Sequence, residues 1–328
     1  MAPASSREIK KILVIKLSAL GDFVLALAAM KKIREAHKRA YITLLTTPAF
    51  EGLAKTCPYF DAVETDGKPE GMGAWLELRR RLKAARYDRV YDLQTSSASA
   101  RIFHLLRPFP PEWSGIAMGC ALPHRNRNRN RMHTLERQAD QLKYAGIWPD
   151  APTEPGSAPP PYLSWVLRKA PNKRPVAGGV KPRPYVMLIP GGSAHRLDKR
   201  WPPEKFCDLA ALLYDRGFDI VIIGGPQESA IGRQIQQRVT KARDLTGRTD
   251  FASIAVMGAK AALVVGNDTG PLHLAAATGA PTIVLFSGAS DPMLSAARGH
   301  VAVLQSPDLG DLDVSTVAQT ANALAANP

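Results

Sequence analysis

The sequence is poor in cysteine and in long apolar runs. Its three cysteines, Cys57, Cys120 and Cys207, are scattered along 328 residues. Neither a disulfide framework nor a zinc site is indicated, because their number is odd and no pair has metal-ligand spacing. No window approaches the roughly 20 apolar residues that span a bilayer, and the first residues lack the apolar core of a signal peptide. These absences predict a soluble protein in a reducing, cytoplasmic compartment.

Acidic residues are also scarce relative to basic ones. The chain has 43 Lys and Arg against 29 Asp and Glu, which gives a formal net charge of +14. Such an excess predicts an anionic partner, which could be nucleic acid, a membrane surface or a phosphorylated substrate. The hydrophobic fraction of 45% is normal for a folded protein, and the length allows two domains.

Short apolar runs alternate with segments of helical periodicity along most of the chain. Residues 11–17 and 185–189 are typical strands, and each is followed by a polar turn and a helix. This alternation predicts an α/β fold with mostly parallel sheets. Segments rich in proline, glycine and basic residues indicate a linker. We therefore predict an N-terminal domain over 1–172, a linker over 173–184 and a C-terminal domain over 185–328.

The most informative turn is Gly266-Asn267-Asp268-Thr269-Gly270-Pro271-Leu272-His273, which follows an apolar strand and precedes an Ala-rich helix. Backbone N–H groups at a helix start and the Thr269 hydroxyl favour an anion, so this turn could cradle a phosphate. Alternatively, Asp268 or Thr269 could simply cap the helix. This stretch alone leaves both interpretations open.

Three other strand ends carry charged residues. Asp22 begins a helix, either as a cap or first-turn acid or as a carboxylate at the mouth of a cleft. Lys199 follows the glycine turn at 190–193 and could supply charge to a diphosphate. Glu228 follows another glycine turn and could bind ribose or act as a first-turn acid. The Walker and dinucleotide patterns are both absent.

One segment has low complexity: arginine and asparagine alternate over residues 125–131. Like charges so close should repel one another, so we expect a solvated loop that is neither helix nor packed strand. It could have no special role, or it could bind phosphates or an anionic lipid surface. RNA binding is disfavoured because no aromatic residues interleave the arginines.

These motifs together resemble the ADP-heptose:lipopolysaccharide heptosyltransferases, glycosyltransferase family 9. The resemblance rests on four stretches in the family's order: residues 15–22, Tyr91-Asp92-Leu93-Gln94, residues 190–193 with Lys199-Arg200-Trp201, and residues 267–273. It implies a GT-B fold, in which two Rossmann-like halves face each other across a cleft. It also implies an inverting transfer, with the donor on the C-terminal half and the acceptor on the N-terminal half.

The resemblance also implies roles for individual residues. Asp22 matches the proposed general base, and Glu228 aligns with an acid associated with the nucleoside. Positions that hold the donor's phosphates and sugar, or share their motif, are Ser193, Lys199, Asp268, Thr269, Gly270 and His273. The donor would be ADP-heptose and the acceptor of the lipid A–Kdo type. No metal or other cofactor is expected, since no acidic pair has metal-ligand spacing.

The basic excess then predicts docking on the anionic inner face of the cytoplasmic membrane. The candidate residues are Arg79, Arg80 and Arg81, together with Arg125, Arg127, Arg129 and Arg131. Three alternatives stay open. The chain could be a family member that uses another nucleotide sugar or acceptor. It could be a basic nucleic-acid-binding protein, or an epimerase or dehydrogenase, although the missing fingerprint disfavours a dehydrogenase and the ordered motifs disfavour nucleic acid.

Overall fold

The computed structural model describes residues 8–169, 183–192 and 196–325. Within it the chain folds as two compact units. The first unit runs to Ala19 and continues over Ala26–Pro159, and the second contains Leu20–Leu25 and the chain from Pro160 onward. The boundary between the units thus falls before the predicted limit at residue 172. The predicted linker 173–184 lies almost wholly outside the described residues, so its extent stays a prediction.

The first unit contains a six-stranded parallel sheet. Its strands are β1 Lys11–Ile15, β2 Tyr41–Leu45, β3 Ala62–Glu64, β4 Arg89–Asp92, β5 Glu112–Gly115 and β6 Leu122–Pro123. The helices between and after them are α1 Leu20–Ala36, α2 Glu51–Thr56, α3 Gly71–Ala85, α4 Ser97–Leu105 and α5 Thr134–Tyr144. The first six residues of α1 cluster with the second unit. The strands lie in the order β3-β2-β1-β4-β5-β6.

The second unit contains another six-stranded parallel sheet. Its strands are β7 Tyr185–Ile189, β8 Asp219–Ile222, β9 Arg243–Asp244, β10 Leu263–Asn267, β11 Thr282–Ser287 and β12 Val301–Ser306. Its helices are α6 Ser164–Lys169, α7 Pro203–Asp215, α8 Ser229–Arg238, α9 Phe251–Gly258, α10 Gly270–Ala276, α11 Pro292–Ser295 and α12 Val314–Ala325. The strand order is β12-β11-β10-β7-β8-β9. The predicted α/β class with parallel sheets is confirmed in both units.

Local chemistry explains where several helices begin and end. The Asp250 side chain accepts a hydrogen bond from the Ser253 N–H and caps α9. Pro203 at the first position of α7 supplies a backbone angle that suits a helix start. Gly279, with φ of 91°, ends the segment after α10 in the left-handed conformation that glycine adopts without strain.

Burial explains why the strands are apolar throughout. All five residues of β10 and all six of β11 are buried, as expected for parallel strands with both faces covered by helices. Leu209, Leu213 and Val317 from α7 and α12 pack with Val186 and Val265 of the sheet in one core cluster. The short helix α6, which falls within the predicted N-terminal domain, clusters with this unit instead: the Leu163 N–H donates to the Ala277 carbonyl, 2.9 Å away.

Candidate functional site

The strand order places one crevice at the carboxyl ends of β7 and β10. These neighbouring strands have their connections on opposite sides of the sheet, and in open parallel sheets ligands bind at such a switch point. The strands approach closely because residue 266 is glycine: a Cβ there would lie 2.5 Å from the Ile189 carbonyl oxygen. The loops that follow them, 190–192 and 268–270, therefore meet at the same edge of the sheet.

A cavity of about 330 Å³ opens at this edge. Four predicted donor-binding residues line it: Glu228, Asp268, Thr269 and Gly270. Glycines 191, 192, 224 and 225 form much of the remaining wall, which lets a ligand approach the backbone. Ser193, also predicted to bind the donor, lies outside the described residues.

Asp268 lies between two of the other predicted residues. Its Oδ2 is 3.7 Å from the Lys199 ammonium, and its Oδ1 is 3.5 Å from Nε2 of His273. The distance to His273 is at the upper limit for a hydrogen bond. His273 is buried at this point, with Asp268 and Lys199 partly exposed beside it. The arrangement brings three residues from two loops and one helix into a single charged cluster.

Thr269 distinguishes between the two interpretations of this turn. It occupies the N-cap position of α10, but its side chain makes no capping hydrogen bond. Its Oγ1 is buried and has no hydrogen-bond partner among the described residues. A buried hydroxyl without a partner is costly, and this one lines the cavity. The capping function is therefore unused, and the hydroxyl is available to a ligand.

Glu228 is buried and already engaged with the backbone. Its Oε2 accepts a hydrogen bond of 2.8 Å from the Gly225 N–H, and its Oε1 lies 3.7 Å from the Arg200 guanidinium. The Nη2 of Arg200 also donates to the Gly192 carbonyl, 2.7 Å away. Glu228 and Arg200 therefore join the loops at 192 and 225 on either side of the cavity. The predicted contact of Glu228 with a nucleoside stays a prediction.

The first sheet has a comparable switch point at the carboxyl ends of β1 and β4. The Gln94 Oε1 accepts hydrogen bonds from the backbone N–H groups of Leu17 and Ser18, at 2.9 and 3.1 Å. Gln94 thus holds the loop that leads into α1. Asp22 lies inside the first turn of this helix, two residues after its start, and not at its N-cap.

The turn that carries Gln94 is built on Asp92. This carboxylate is fully buried, and its Oδ1 accepts hydrogen bonds from the N–H groups of Gln94 and Thr95, at 3.0 and 2.9 Å. Burial raises the pKa of Asp92 to about 6, against the lowering effect of those hydrogen bonds. Sequence reasoning assigned no role to Asp92 or Gln94 beyond their place in a motif.

The Arg/Asn segment is more ordered than expected. Asn126 donates to Asp140 Oδ2 at 2.7 Å, and the same oxygen is 2.8 Å from Nε2 of His124. Arg129 is half-buried, begins a short 3-10 helix and donates from Nε to Nδ1 of His124, 3.4 Å away. Burial lowers the pKa of His124, which fits a neutral ring that accepts this hydrogen bond. The expectation of a solvated loop without helix is wrong for the part anchored by Asn126 and Arg129.

The outer side of the same segment matches the expectation. Arg125, Arg127 and Arg131 are exposed, whereas Arg129 points inward to His124. The hydrogen bonds of Asn126 and Arg129 hold the segment in place, so the arginine charges are separated in space. The binding roles predicted for all four arginines remain predictions, and the geometry makes the three exposed ones accessible to a large partner.

Metal ligands and membrane spans bear on the predicted partners. Among the residues that the structure describes, no group of three or more His, Cys, Asp or Glu side chains is placed to hold a metal ion. Within the same residues, no helix is both long and apolar enough to span a bilayer.

A second cavity, of about 880 Å³, lies at the amino-terminal ends of β4 and β5 beside Arg86 and Phe109. It contains none of the predicted site residues.

Comparison with known proteins identifies the family. The family model described as glycosyltransferase family 9 (heptosyltransferase) matches residues 75–306, which include the donor cavity and the turn at Gln94. The chain belongs to glycosyltransferase family 9. The predicted family and its glycosyltransferase class of activity are therefore confirmed.

Individual members of glycosyltransferase family 9 are similar over most of their length. Lipopolysaccharide heptosyltransferase 2 of Escherichia coli is 26% identical over 320 residues, covering 89% of this chain and 86% of that protein. Lipopolysaccharide heptosyltransferase 1 of Salmonella typhimurium is 25% identical over 327 residues, covering 94% and 98%. The chain thus resembles members that carry different numbers in their names.

Solved structures of the family share the fold. An ADP-heptose lipopolysaccharide heptosyltransferase II of E. coli superposes with a TM-score of 0.77 at 22% identity, covering 96% of this chain and 98% of the other. A family 9 glycosyltransferase of Veillonella parvula gives a TM-score of 0.80 at 18% identity, covering 98% and 99%. These likenesses confirm the predicted GT-B class.

Asn267 is a site residue whose role sequence reasoning missed. Its side chain is fully buried, and its Oδ1 accepts a hydrogen bond of 3.0 Å from the Trp201 N–H. Its Nδ2 donates to the carbonyls of Pro190 and Gly191, at 2.8 and 3.2 Å. Asn267 therefore fastens the loop after β7 and the segment after Lys199 to the end of β10. The available signal was an amide at the end of an otherwise apolar strand.

Proposed function

We propose that this family 9 glycosyltransferase transfers heptose from ADP-heptose to the inner core of lipopolysaccharide, with inversion at the anomeric carbon. The observation that carries the donor half of this proposal is the buried hydroxyl of Thr269, which has no hydrogen-bond partner in the described part of the chain, beside the Lys199–Asp268–His273 cluster. A sugar diphosphate offers the acceptor oxygens and negative charge that such a site needs. The names of the similar proteins support lipopolysaccharide as the acceptor class.

In the proposed donor complex, Lys199 and the Thr269 hydroxyl contact the diphosphate. Asp268 cannot stabilise an anion itself. Its carboxylate instead holds Lys199 and His273 in place and is available to sugar hydroxyls. Because Lys199 supplies positive charge where the leaving group forms, we propose that no divalent ion or other cofactor is required. Glu228 supports the glycine-lined wall that would receive the nucleoside.

In the proposed transfer step, the Asp22 carboxylate takes the proton of the acceptor hydroxyl. The resulting oxygen attacks the anomeric carbon of the heptose from the face opposite the diphosphate. The bond between that carbon and the phosphate oxygen breaks, and its electron pair leaves with ADP. One attack on one face gives inversion without a covalent enzyme intermediate. The position of Asp22 in the first turn of α1, after a loop fastened by Gln94, supports this role.

We further propose a lipid A–Kdo type acceptor, presented at the inner face of the cytoplasmic membrane. The net charge of +14 and the exposed side chains of Arg125, Arg127 and Arg131 suit a phosphorylated, carboxylate-bearing lipid. Arg129 contributes by ordering the segment that carries them. The described cysteines are free thiols, in keeping with a cytoplasmic location. No nucleic-acid partner is proposed.

The test is transfer from ADP-heptose to a short lipid A–Kdo acceptor, with Asp22→Asn and Lys199→Ala as variants. We expect Asp22→Asn to bind ADP normally but to lose nearly all turnover, because asparagine cannot accept the proton. Lys199→Ala should weaken ADP binding, because it removes a charge that the diphosphate meets. Near-normal turnover by Asp22→Asn would show that another group is the base.

A thermal-shift series separates the proposal from its alternatives. A ligand that binds the folded state raises the midpoint of unfolding, so ADP should stabilise the chain more than UDP or GDP. Greater stabilisation by UDP or GDP would indicate another nucleotide sugar. Stabilisation by an RNA oligomer with no effect of any nucleoside diphosphate would contradict the enzymatic proposal.

A further inference from the structure

Helix α3 exposes large apolar side chains on its outer side. Met72 is 76% exposed and Leu76 is 56% exposed, although both are in a well-formed helix. The opposite side of the helix packs against the protein: Leu78 and Leu82 are buried in the core of the first unit. The helix therefore already has a buried apolar side, and Met72 and Leu76 form a second one that faces solvent.

Basic residues continue this outer side toward the end of the helix. Positions 72, 76, 80 and 83 are three or four residues apart and so lie on one side of a helix, and Arg80 and Lys83 are both exposed. We call Met72, Leu76, Arg80 and Lys83 the α3 outer face. Its length is roughly 16 Å at 1.5 Å per residue. Exposed apolar side chains close to basic ones match the apolar boundary and the anionic head groups of a membrane interface.

The other arginines of α3 do not belong to this face. Arg79 donates from Nε to the Leu105 carbonyl, 3.0 Å away. Arg81 is paired with Glu64 and Asp66. These two side chains bind other residues of the first unit. Of the three arginines predicted to contact the membrane, only Arg80 therefore belongs to this face.

The apolar end of the α3 outer face begins at the end of the sheet where the proposed chemistry occurs, and Lys83 lies toward the opposite end of the strands. Helix α3 follows β3, so its amino-terminal turn is near the carboxyl ends of the strands. The connecting loop contacts the segment before Asp22: the Lys68 ammonium donates to the Ser18 hydroxyl, 3.1 Å away. Gly67 packs so closely in this loop that a Cβ would lie 2.3 Å from Cδ2 of Leu17. Helix α3 therefore begins after a loop that packs on the segment leading to the proposed base, and Met72 lies in its first turn.

We propose that the α3 outer face docks on an anionic lipid surface, with Met72 and Leu76 inserted at the acyl boundary and Arg80 and Lys83 at the head groups. This inference rests on the proposed function, because it names the surface by which a lipid acceptor is reached. The basic end of the face complements anionic head groups. A self-association surface would instead bury the exposed charges of Arg80 and Lys83 between two copies, which costs their desolvation.

The first test measures binding of the full chain to vesicles by sedimentation. Vesicles that contain phosphatidylglycerol are compared with vesicles of phosphatidylcholine alone. We expect Met72→Ser with Leu76→Ser to weaken binding to the anionic vesicles about tenfold, because the inserted apolar area is lost. Met293→Ser is the matched control, since Met293 is 67% exposed and lies on α11; it should bind as the wild type does.

A second variant tests the basic end independently. Arg80 is paired with Glu77 of the same helix, but both side chains are exposed and the pair is weakened by solvent. Arg80→Gln with Lys83→Gln should therefore weaken binding to anionic vesicles and leave binding to phosphatidylcholine unchanged. Unchanged binding in both double variants would overturn the proposal. A second outcome would also overturn it. If the wild type were a dimer in sizing experiments, and the serine substitutions made it a monomer without changing vesicle binding, the face would be an interface between two copies.

A third measurement keeps this proposal distinct from the proposed function. Transfer is assayed with an acceptor in vesicles and with an acceptor whose acyl chains have been removed. The serine double variant should lose about tenfold in kcat/KM with the vesicle acceptor and keep wild-type activity with the water-soluble one. If the serine double variant kept wild-type activity with both acceptors, the docking proposal would be overturned. Absence of transfer by the wild type with either acceptor would contradict the proposed function, while the sedimentation result would still decide docking.

Discussion

At the scale of single residues, Thr269 offers the sharpest test of the donor cavity. Valine has the same shape but no hydroxyl, and Oγ1 of Thr269 has no hydrogen-bond partner among the described residues. We therefore expect Thr269→Val to keep its free energy of unfolding. Its affinity for ADP should fall about tenfold, because one hydrogen bond to a charged group is lost. Calorimetric titration with ADP measures this.

A second threonine provides the control for that experiment. The Oγ1 of Thr278 donates to the Ala275 carbonyl, 2.6 Å away. Thr278→Val should therefore lower the midpoint of thermal unfolding and leave ADP affinity unchanged. If Thr269→Val bound ADP as tightly as the wild type, the hydroxyl would have no part in donor binding.

Asp92 should make stability depend on pH. Its pKa is about 6 in the folded chain, against an ordinary value of 3.8. Between these values the folded chain keeps a proton that the unfolded chain has released, so stability falls as pH rises through this window. The shift of about two pKa units corresponds to about 3 kcal/mol. This contribution is fully present below about pH 4 and is lost above about pH 6.

The measurement is the free energy of unfolding in urea for the wild type and Asp92→Asn, at pH 4 and pH 7.5. Groups common to both proteins cancel in the difference. We expect the wild type to lose about 2 kcal/mol relative to Asp92→Asn between the two pH values, because at pH 4 the unfolded chain has already released part of its proton. A difference that does not vary with pH would show that Asp92 is ionised in the folded chain throughout this range.

At the scale of elements, the loop between β1 and α1 is held in place by the turn that follows β4. The Oε1 of Gln94 accepts the N–H groups of Leu17 and Ser18, and this loop leads to Asp22. Gln94→Met has nearly the same length but leaves both N–H groups without their acceptor, at a cost of about 1–3 kcal/mol each if they stay buried. The loop should then move, and kcat should fall about tenfold or more. Steady-state kinetics measure this.

Gln94→Glu is the matched control because it keeps an acceptor at the same position. We expect it to stay within about threefold of the wild-type kcat, while both variants bind ADP normally, since the donor cavity lies in the second unit. A similar loss of kcat in Gln94→Glu and Gln94→Met would indicate that the amide itself, and not the anchoring of the loop, is needed.

Elements also show which local predictions were reliable. The apolar runs at 11–17 and 185–189 located β1 and β7 and predicted the helix that follows each, because a buried side and a period are local properties. The Arg/Asn segment was mispredicted because its order comes from Asp140, which is far along the chain from Asn126 and is invisible to local rules. Packing against a distant acid overrode the repulsion expected between neighbouring arginines.

At the scale of the whole molecule, the net charge of +14 predicts a salt-dependent acceptor interaction. Raising ionic strength from about 0.05 M to about 0.5 M shortens the range of electrostatic attraction, so the KM for a charged lipid acceptor should rise several-fold. The kcat should change little, because buried pairs at the site are screened less. Initial rates across a salt series measure both constants.

The matched comparison uses two triple variants, each of which removes three positive charges from a different part of the surface. Arg125→Gln, Arg127→Gln and Arg131→Gln together should flatten the salt dependence of KM. The same number of changes at exposed positions of the second unit, Arg233→Gln, Lys241→Gln and Lys260→Gln, should leave most of it in place. Equal flattening by both sets would indicate that net charge alone matters, without a localised acceptor surface.

The sequence by itself determined the class of fold, the family and the residue types at the strand ends. These are local properties: a five-residue apolar run, a glycine turn and a helical period identify a βα unit wherever they occur. Only the tertiary structure decided which polar groups meet. Asn267 fastens Trp201 and Pro190 to β10 across more than sixty residues of chain, Arg200 joins the loops at 192 and 228, and Thr269 is left without a partner among the residues described. Long-range packing sets these contacts, because the partner of a buried polar group depends on what the rest of the chain places beside it.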